Sequence, residues 1–223
     1  MKGFQFFDPN QEFVVAYKNL PHWSQTATLS FITWRTADSL PAVALQRITE
    51  DREQLLRNAG LDPHADWKRE LAQLSPADRG HIQWSLFEVW DEQLDRGAGE
   101  LLLANSDLSQ IVANSLLHFD ENRYFLTDFV VMPNHVHLLA AFANEDALIE
   151  QCTSWKRFTA RQINVVLGTS GEFWQVEQFD HLIRSEEQFY HFRRYIAANP
   201  QRSRLSPEQY RHYSKPLAKI QVS

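Results

Sequence analysis

Cysteine is almost absent: Cys152 stands alone among 223 residues. A single thiol excludes an internal disulfide and any cysteine-rich zinc site, and it points to a reducing, cytoplasmic setting. Long apolar runs are missing too. No stretch of about 18 uncharged apolar residues occurs, so no membrane span is expected. The first residues, MKGFQFFDPNQEF, lack the long apolar core and small-residue cleavage site of a signal peptide. Neither a G-x-x-x-x-G-K phosphate loop nor an H-E-x-x-H pair is present, which argues against ATP-driven chemistry and a zinc protease. Positive charge is also in deficit, with 22 Lys and Arg against 28 Asp and Glu, a net of −6. The deficit is uneven. Residues 1–149 hold 11 basic and 21 acidic residues, or −10, while 150–223 hold 11 and 7, or +4, which sum to −6. An anionic partner is therefore expected on the C-terminal third, although a solvated basic face fits the same count.

Aromatic residues are abundant, and their scatter marks most of them as core. Residues 1–25 read as irregular, with Pro9 and Pro21. ATLSFITWR, 27–35, is β-branched and aromatic and reads as a strand. Ser39 and Pro41 suit the start of an amphipathic helix that Gly60 ends. Residues 61–74 are ambiguous. Ser75, Pro76 and Asp78 open a second helix with Ile82, Leu86, Phe87, Val89 and Trp90 at helical spacing. Asp107 is placed as the cap of a third, with Leu108, Ile111, Val112 and Leu116 on one face. YFLTDFVVMP, 124–133, reads as a strand, Pro133-Asn134 as a turn, and HVHLLAAF as the return strand. A long helix over 146–167 ends at Gly168. An extended piece follows, and then a helix opened by Ser185 and Gln188 that stops near Pro200. This order predicts an α+β fold: an antiparallel sheet with helices packed on one face, plus a helical insertion over about 40–95.

Chemistry concentrates in FVVMPNHVHLLAAF. In a strand, residues two apart project to the same face, so His135 and His137 point together while Val136 points away. With Cα atoms roughly 6–7 Å apart by strand rise, both imidazoles can reach one metal ion. A hydrogen-bonded structural pair fits the same spacing. A third ligand must come from elsewhere. Tyr195 and Asn199 are four apart on the last helix and share a face; an Asn at a helix end is also a common capping residue. Of six tyrosines, Tyr190 is the nearest rival, but it lies about 140° around the helix from Tyr195. Lys156, Arg157, Arg161, Arg184, Arg193 and Arg194 suit phosphate contacts. Trp174 can stack on an unpaired base or pack in the core.

Four blocks in order carry a family resemblance: VVMPNHVHLL, WKRFTARQIN, FWQVEQFDHLIR and RYIAANP. Together with LSFITWRTADSLP they resemble the REP-associated tyrosine transposases, within the HUH single-strand transposases of the IS200-like type. The resemblance spans residues 20–36 and 96–205, as the catalytic core of a single domain with 206–223 as a C-terminal tail. It implies a ferredoxin-like fold and a divalent cation, Mg²⁺ or Mn²⁺, on His135 and His137. It also implies Tyr195 as nucleophile and Asn199 as the side chain completing the metal site. The activity implied is cleavage and rejoining of single-stranded, hairpin-forming DNA through a 5′-phosphotyrosine, by a monomer or homodimer. A nucleic-acid hairpin binder without transposition activity is the other outcome. The family's N-P-V-K-A-G-L block reads NPQRSRL here, a departure just beyond the site.

Overall fold

Five runs rich in β-branched and aromatic side chains form one antiparallel sheet. These are β3 (Leu29–Arg35), β4 (Tyr124–Val131), β5 (His135–Phe142), β6 (Phe179–Leu182) and β7 (Arg211–Ser214), in the order β6-β3-β5-β4-β7. A separate hairpin pairs β1 (Val14–Tyr17) with β2 (Pro21–Ser24). The computed structural model describes residues 3–8, 14–17, 21–176, 178–216 and 218. The chain divides into two compact units, one of residues 1–37 and 101–223, the other of residues 38–100.

The first unit contains the sheet and three helices, α4 (Ser106–His118), α5 (Glu145–Leu167) and α6 (Glu186–Arg202). Leaving out β7, the sequence β3-α4-β4-β5-α5-β6 with spatial order β6-β3-β5-β4 is the ferredoxin-like arrangement. β7 adds a fifth strand beside β4, where the reading had only a tail. Strand alternation sorts the side chains. Ile32, Trp34, Val136, Leu138 and Ala140 bury against Leu108, Val112, Leu116, Cys152 and Trp155 of α4 and α5. Phe31 and His137 face the other way and meet α6: the Phe31 and Phe192 rings lie 4.5 Å apart, and those of His137 and Tyr195 5.5 Å apart. The α+β fold with an antiparallel sheet stands as expected, but its helices do not all pack on one face. Helices α4 and α5 cover one face of the sheet, and α6 lies on the opposite face.

Local differences have local causes. The first strand starts at Leu29 rather than Ala27, because Ala27 takes a left-handed φ of 56° that breaks the extended run. Residues 14–24, read as irregular, contain the hairpin; Pro21 sits at the first position of its strand, where no ladder donor is lost from the interior. The cap of α4 is Asn105, whose side-chain Oδ1 accepts from the Asp107 and Leu108 amides, so Asp107 occupies the first turn instead. Ser185 caps α6 as read, accepting from the Gln188 amide at 3.1 Å. The Gln188 side chain closes back on the Arg184 amide at 2.7 Å. Helix α6 continues through Pro200 to Arg202. Proline lacks an amide donor and crowds the carbonyl four residues back, and only two residues of helix remain beyond it.

A β-bulge between Leu126 and Asp128 resets the phase of β4. Residues Leu126 and Phe129 both face α4 and α5, which turns Asp128 toward α6.

The second unit is helical: α1 (Ala42–Asn58), α2 (Trp67–Gln73) and α3 (Pro76–Asp95). The ambiguous stretch 61–74 contains α2, whose cap Asp66 accepts from the Arg69 amide. Its core joins Leu56, Leu61, Trp67, Leu71, Ile82 and Leu86. Its two ends meet where the Asp38 carboxylate accepts from the Glu100 amide at 2.7 Å. Gly99 is required there: φ is +92°, and a Cβ would stand 2.7 Å from the Asp38 Oδ2.

Candidate metal and nucleophile site

His135 and His137 open β5 immediately after a four-residue reversal closed by the Met132 amide on the His135 carbonyl at 2.8 Å. The reversal is held at its tip. The Thr36 amide donates to the Asn134 carbonyl and the Leu103 amide to the Pro133 carbonyl. Both histidines are buried, and their ring centroids are 4.6 Å apart. Each ring is oriented through Nδ1. That of His135 lies 2.7 Å from Asn134 Oδ1, and that of His137 lies 2.6 Å from Thr33 Oγ1. An amide oxygen only accepts, so His135 Nδ1 carries the proton and the ring's lone pair sits on Nε2. The Thr33 hydroxyl accepts as readily as it donates, which makes the same tautomer available to His137. Orienting one ring nitrogen so that the other presents a lone pair is how metal-binding histidines are held. Thr33 is the cross-strand partner of His137. Neither Thr33 nor Asn134 was among the candidates; Asn134 was legible only as a turn residue, and Thr33 lies 104 positions from its partner.

Tyr195 is half-buried on α6, with its ring edge-on to Phe31 at 5.8 Å and against His137 at 5.5 Å. One turn later Asn199 is completely buried, and among the described residues neither its Oδ1 nor its Nδ2 has a hydrogen-bond partner. A buried amide that satisfies nothing is costly, and its oxygen suits a cation. Imidazole nitrogens suit a divalent ion, and an amide oxygen is a further kind of donor that such an ion accepts.

Two of the other tyrosines are occupied elsewhere. Tyr124 lies on the α4/α5 side of the sheet and donates its hydroxyl to the Leu116 carbonyl at 2.7 Å. Burial pushes its phenol up to about 12. Tyr213 stacks on Phe129.

The predicted phosphate contacts divide, with Lys156 and Arg157 lining one open cleft beside Trp174. Arg157 and Arg161 are exposed on α5, which covers the face of the sheet opposite to Tyr195. Lys156, on the same helix, donates to the Val176 carbonyl at 2.6 Å and to Gln178 Oε1. Arg184 is half-buried and Arg194 exposed at the start and middle of the α6 region. Two candidates are corrected. Arg193 is committed to the buried Asp128 at 3.0 Å, to the Ser214 hydroxyl and to the Lys215 carbonyl, with 13% of its side chain exposed. It ties α6 to β4 and β7 and is spent on that tie. Trp174 is a core residue, 5% exposed, packed edge-on to Trp34 and donating Nε1 to Thr159 Oγ1 at 2.8 Å. Little of its ring is exposed, at the wall of an open cleft that Lys156, Arg157 and Phe173 also line.

Among solved structures the chain is similar to "Structure of the REP associates tyrosine transposase bound to a REP hairpin", at 15% identity and a TM-score of 0.42, covering 86% of this chain and 75% of that one. No family model and no curated protein matches the chain. The chemistry of the site therefore rests on its own side chains. No helix among the described residues is long and apolar enough to cross a membrane.

Proposed function

We propose that this chain is a metal-dependent tyrosine endonuclease and strand transferase acting on single-stranded DNA that folds into a hairpin. The observation that carries the reading is the contact of the Tyr195 ring with His137, beside His135 and one helical turn from the orphaned amide of Asn199. The four sequence blocks described above support the same reading.

In it, His135, His137 and Asn199 would hold Mg²⁺ or Mn²⁺. A cation there supplies positive charge to the non-bridging oxygens of a phosphodiester as charge builds on them. Asn134 holds His135 in the metal-binding tautomer, and Thr33 orients the His137 ring through the same nitrogen. Helix α6 presents the Tyr195 Oη, which attacks phosphorus. The P–O3′ bond breaks as the P–Oη bond forms; the phenol proton leaves, and a proton arrives on the departing 3′ oxygen. The products are a 5′-phosphotyrosine and a free 3′-hydroxyl. One phosphoester replaces another, so a second 3′-hydroxyl can reverse the step without ATP.

The test is a denaturing gel with labelled single-stranded hairpin oligonucleotides and Mn²⁺. A covalent protein–DNA band that disappears in Tyr195→Phe is expected. Persistence of the band in that variant overturns the nucleophile. Cleavage without a covalent band indicates hydrolysis by water, and tight binding without cleavage indicates a hairpin-binding protein.

A further inference from the structure

One open cleft lies apart from the histidines and Tyr195. It runs between α5 and residues 171–176, has a volume of about 370 Å³, and is lined among others by Arg157, Glu172, Phe173, Trp174 and Val176. We infer that this cleft receives one unpaired nucleotide of the cleaved strand, its phosphate on Arg157 and its base edge on Glu172, and so helps to set the sequence at which the strand is cut. The inference rests on the reading of Tyr195 above.

The walls are fixed before any ligand arrives. The Phe173 carbonyl accepts from the Ala37 amide, and the Gln175 amide donates to the Arg35 carbonyl, both at 2.9 Å. Trp174 is pinned to Thr159. Lys156 ties α5 to the facing segment through the Val176 carbonyl and Gln178 Oε1. A preformed, largely apolar hollow with a few polar groups is the usual form of a small-ligand site, and this volume lies at the small end of that class.

Position connects the cleft to the reaction. Gln175 bonds to Arg35, and Arg35 is the cross-strand partner of His135. About two strand spacings, or about 10 Å, therefore separate the cleft wall from the first histidine along the sheet. A stacked strand advances about 3.4 Å per nucleotide, so a base in the cleft and a phosphate at the histidines fit one strand within about three nucleotides.

Chemistry divides the labour. Arg157 and Glu172 are exposed, and among the described residues neither is engaged by a hydrogen bond or an ion pair. A guanidinium pairs with phosphate whatever the base. An ionised carboxylate only accepts. It suits bases that carry an amino group, as cytosine, adenine and guanine do, and disfavours thymine, whose edge shows the O4 and O2 acceptors.

The experiment uses the full chain with Mn²⁺ and hairpin oligonucleotides with short randomised flanks. Bound molecules are recovered and sequenced for Tyr195→Phe alone and with Glu172→Gln or Arg157→Gln added, and the covalent band of the wild-type chain is read on the same pool. Thymine should be depleted about tenfold at one flanking position, the scale of one side-chain contact to a base. E172Q should abolish that depletion, because an amide also donates. R157Q should weaken binding to all flanks alike and lower the slope of log affinity against log salt by about 0.7, leaving the depletion in place. Both side chains are exposed, so neither change reaches the core. Flanks without thymine depletion, or depletion that persists in E172Q, overturn the cleft as a reading site, and a covalent band in the same pool then leaves Tyr195 standing. An unchanged salt slope in R157Q overturns the phosphate contact. Depletion that depends on Glu172 without any covalent band supports the cleft as a nucleotide site and overturns Tyr195 as the nucleophile.

Discussion

Replacing Asn199 by leucine separates a ligand waiting for its cation from an ordinary helix residue. The amide is fully buried and has no hydrogen-bond partner among the described residues. An unsatisfied buried polar group costs about 1–3 kcal/mol. Leucine is close to asparagine in size, and repacking at near-constant volume costs less than about 1.5 kcal/mol. In chelator, N199L should therefore match or exceed wild type by about 1–2 kcal/mol, which for a chain of this length raises the melting temperature by roughly 2–8 °C. Mn²⁺ reverses the ranking. At 100 times its dissociation constant a bound ion stabilises wild type by about 2.7 kcal/mol, and N199L should lose most of that gain. Asn199→Asp should behave oppositely, melting lower in chelator because it buries a carboxylate, and rising more steeply with Mn²⁺. Thermal melts by circular dichroism, in EDTA and across an Mn²⁺ series, read all three proteins. If N199L melts several degrees below wild type in EDTA, the amide makes favourable bonds in the folded chain and the reasoning is refuted. A wild-type Mn²⁺ response in N199L refutes the ligand assignment separately.

Thr33→Val should weaken Mn²⁺ binding by about 10–100-fold, the usual cost of removing the partner that orients a ligating imidazole; isothermal titration measures it, and an unchanged affinity would show that Thr33 does not hold His137. Arg193→Ala should destabilise the first unit by about 3–5 kcal/mol in urea melts, because it strands the buried Asp128 carboxylate. Asp128→Leu combined with Arg193→Met should recover most of that loss, and failure to do so would mean the pair acts through something other than its charges. His181 is held down to about 3 by burial and, secondarily, by the Arg184 cation. A folded value below the unfolded 6.5 makes its stability complete above that pH, and the contribution is lost at about 1.4 kcal/mol per unit as pH falls toward 3. His181→Phe should flatten the stability curve over that window, whereas parallel curves for the two proteins would refute the burial argument.

What could be read in advance followed from short-range periodicity. Period two put His135 and His137 on one face, and a four-residue step put Tyr195 and Asn199 on another. Both need only local geometry. Partners that depend on strand pairing could not be read that way. Thr33 meets His137 because β3 and β5 are in register, a relation that no window of sequence contains. The same limit hid the fates of two predicted DNA contacts. Arg193 looks like any cationic helix residue until the bulge at Leu126/Asp128 turns a carboxylate toward it. Trp174 looks like a stacking platform until it is seen packed against Trp34.

The pairing of β5 with its neighbours has one more consequence. The first two odd-numbered β5 residues, His135 and His137, carry imidazoles toward α6, and Val136, Leu138 and Ala140 carry aliphatic groups toward α4 and α5. Sliding the strand by one position would exchange the two sets, seating His135 and His137 in oil and turning Val136 and Leu138 toward the tyrosine. The core and the reactive centre are therefore two readouts of a single alignment. Any sequence that still packs this sheet delivers both histidines to the same place, and drift in the loops cannot detune one without the other. Loss of the chemistry requires substitution at the histidines, the tyrosine or their immediate supports, which makes those few letters the place to look when asking whether a related chain remains active.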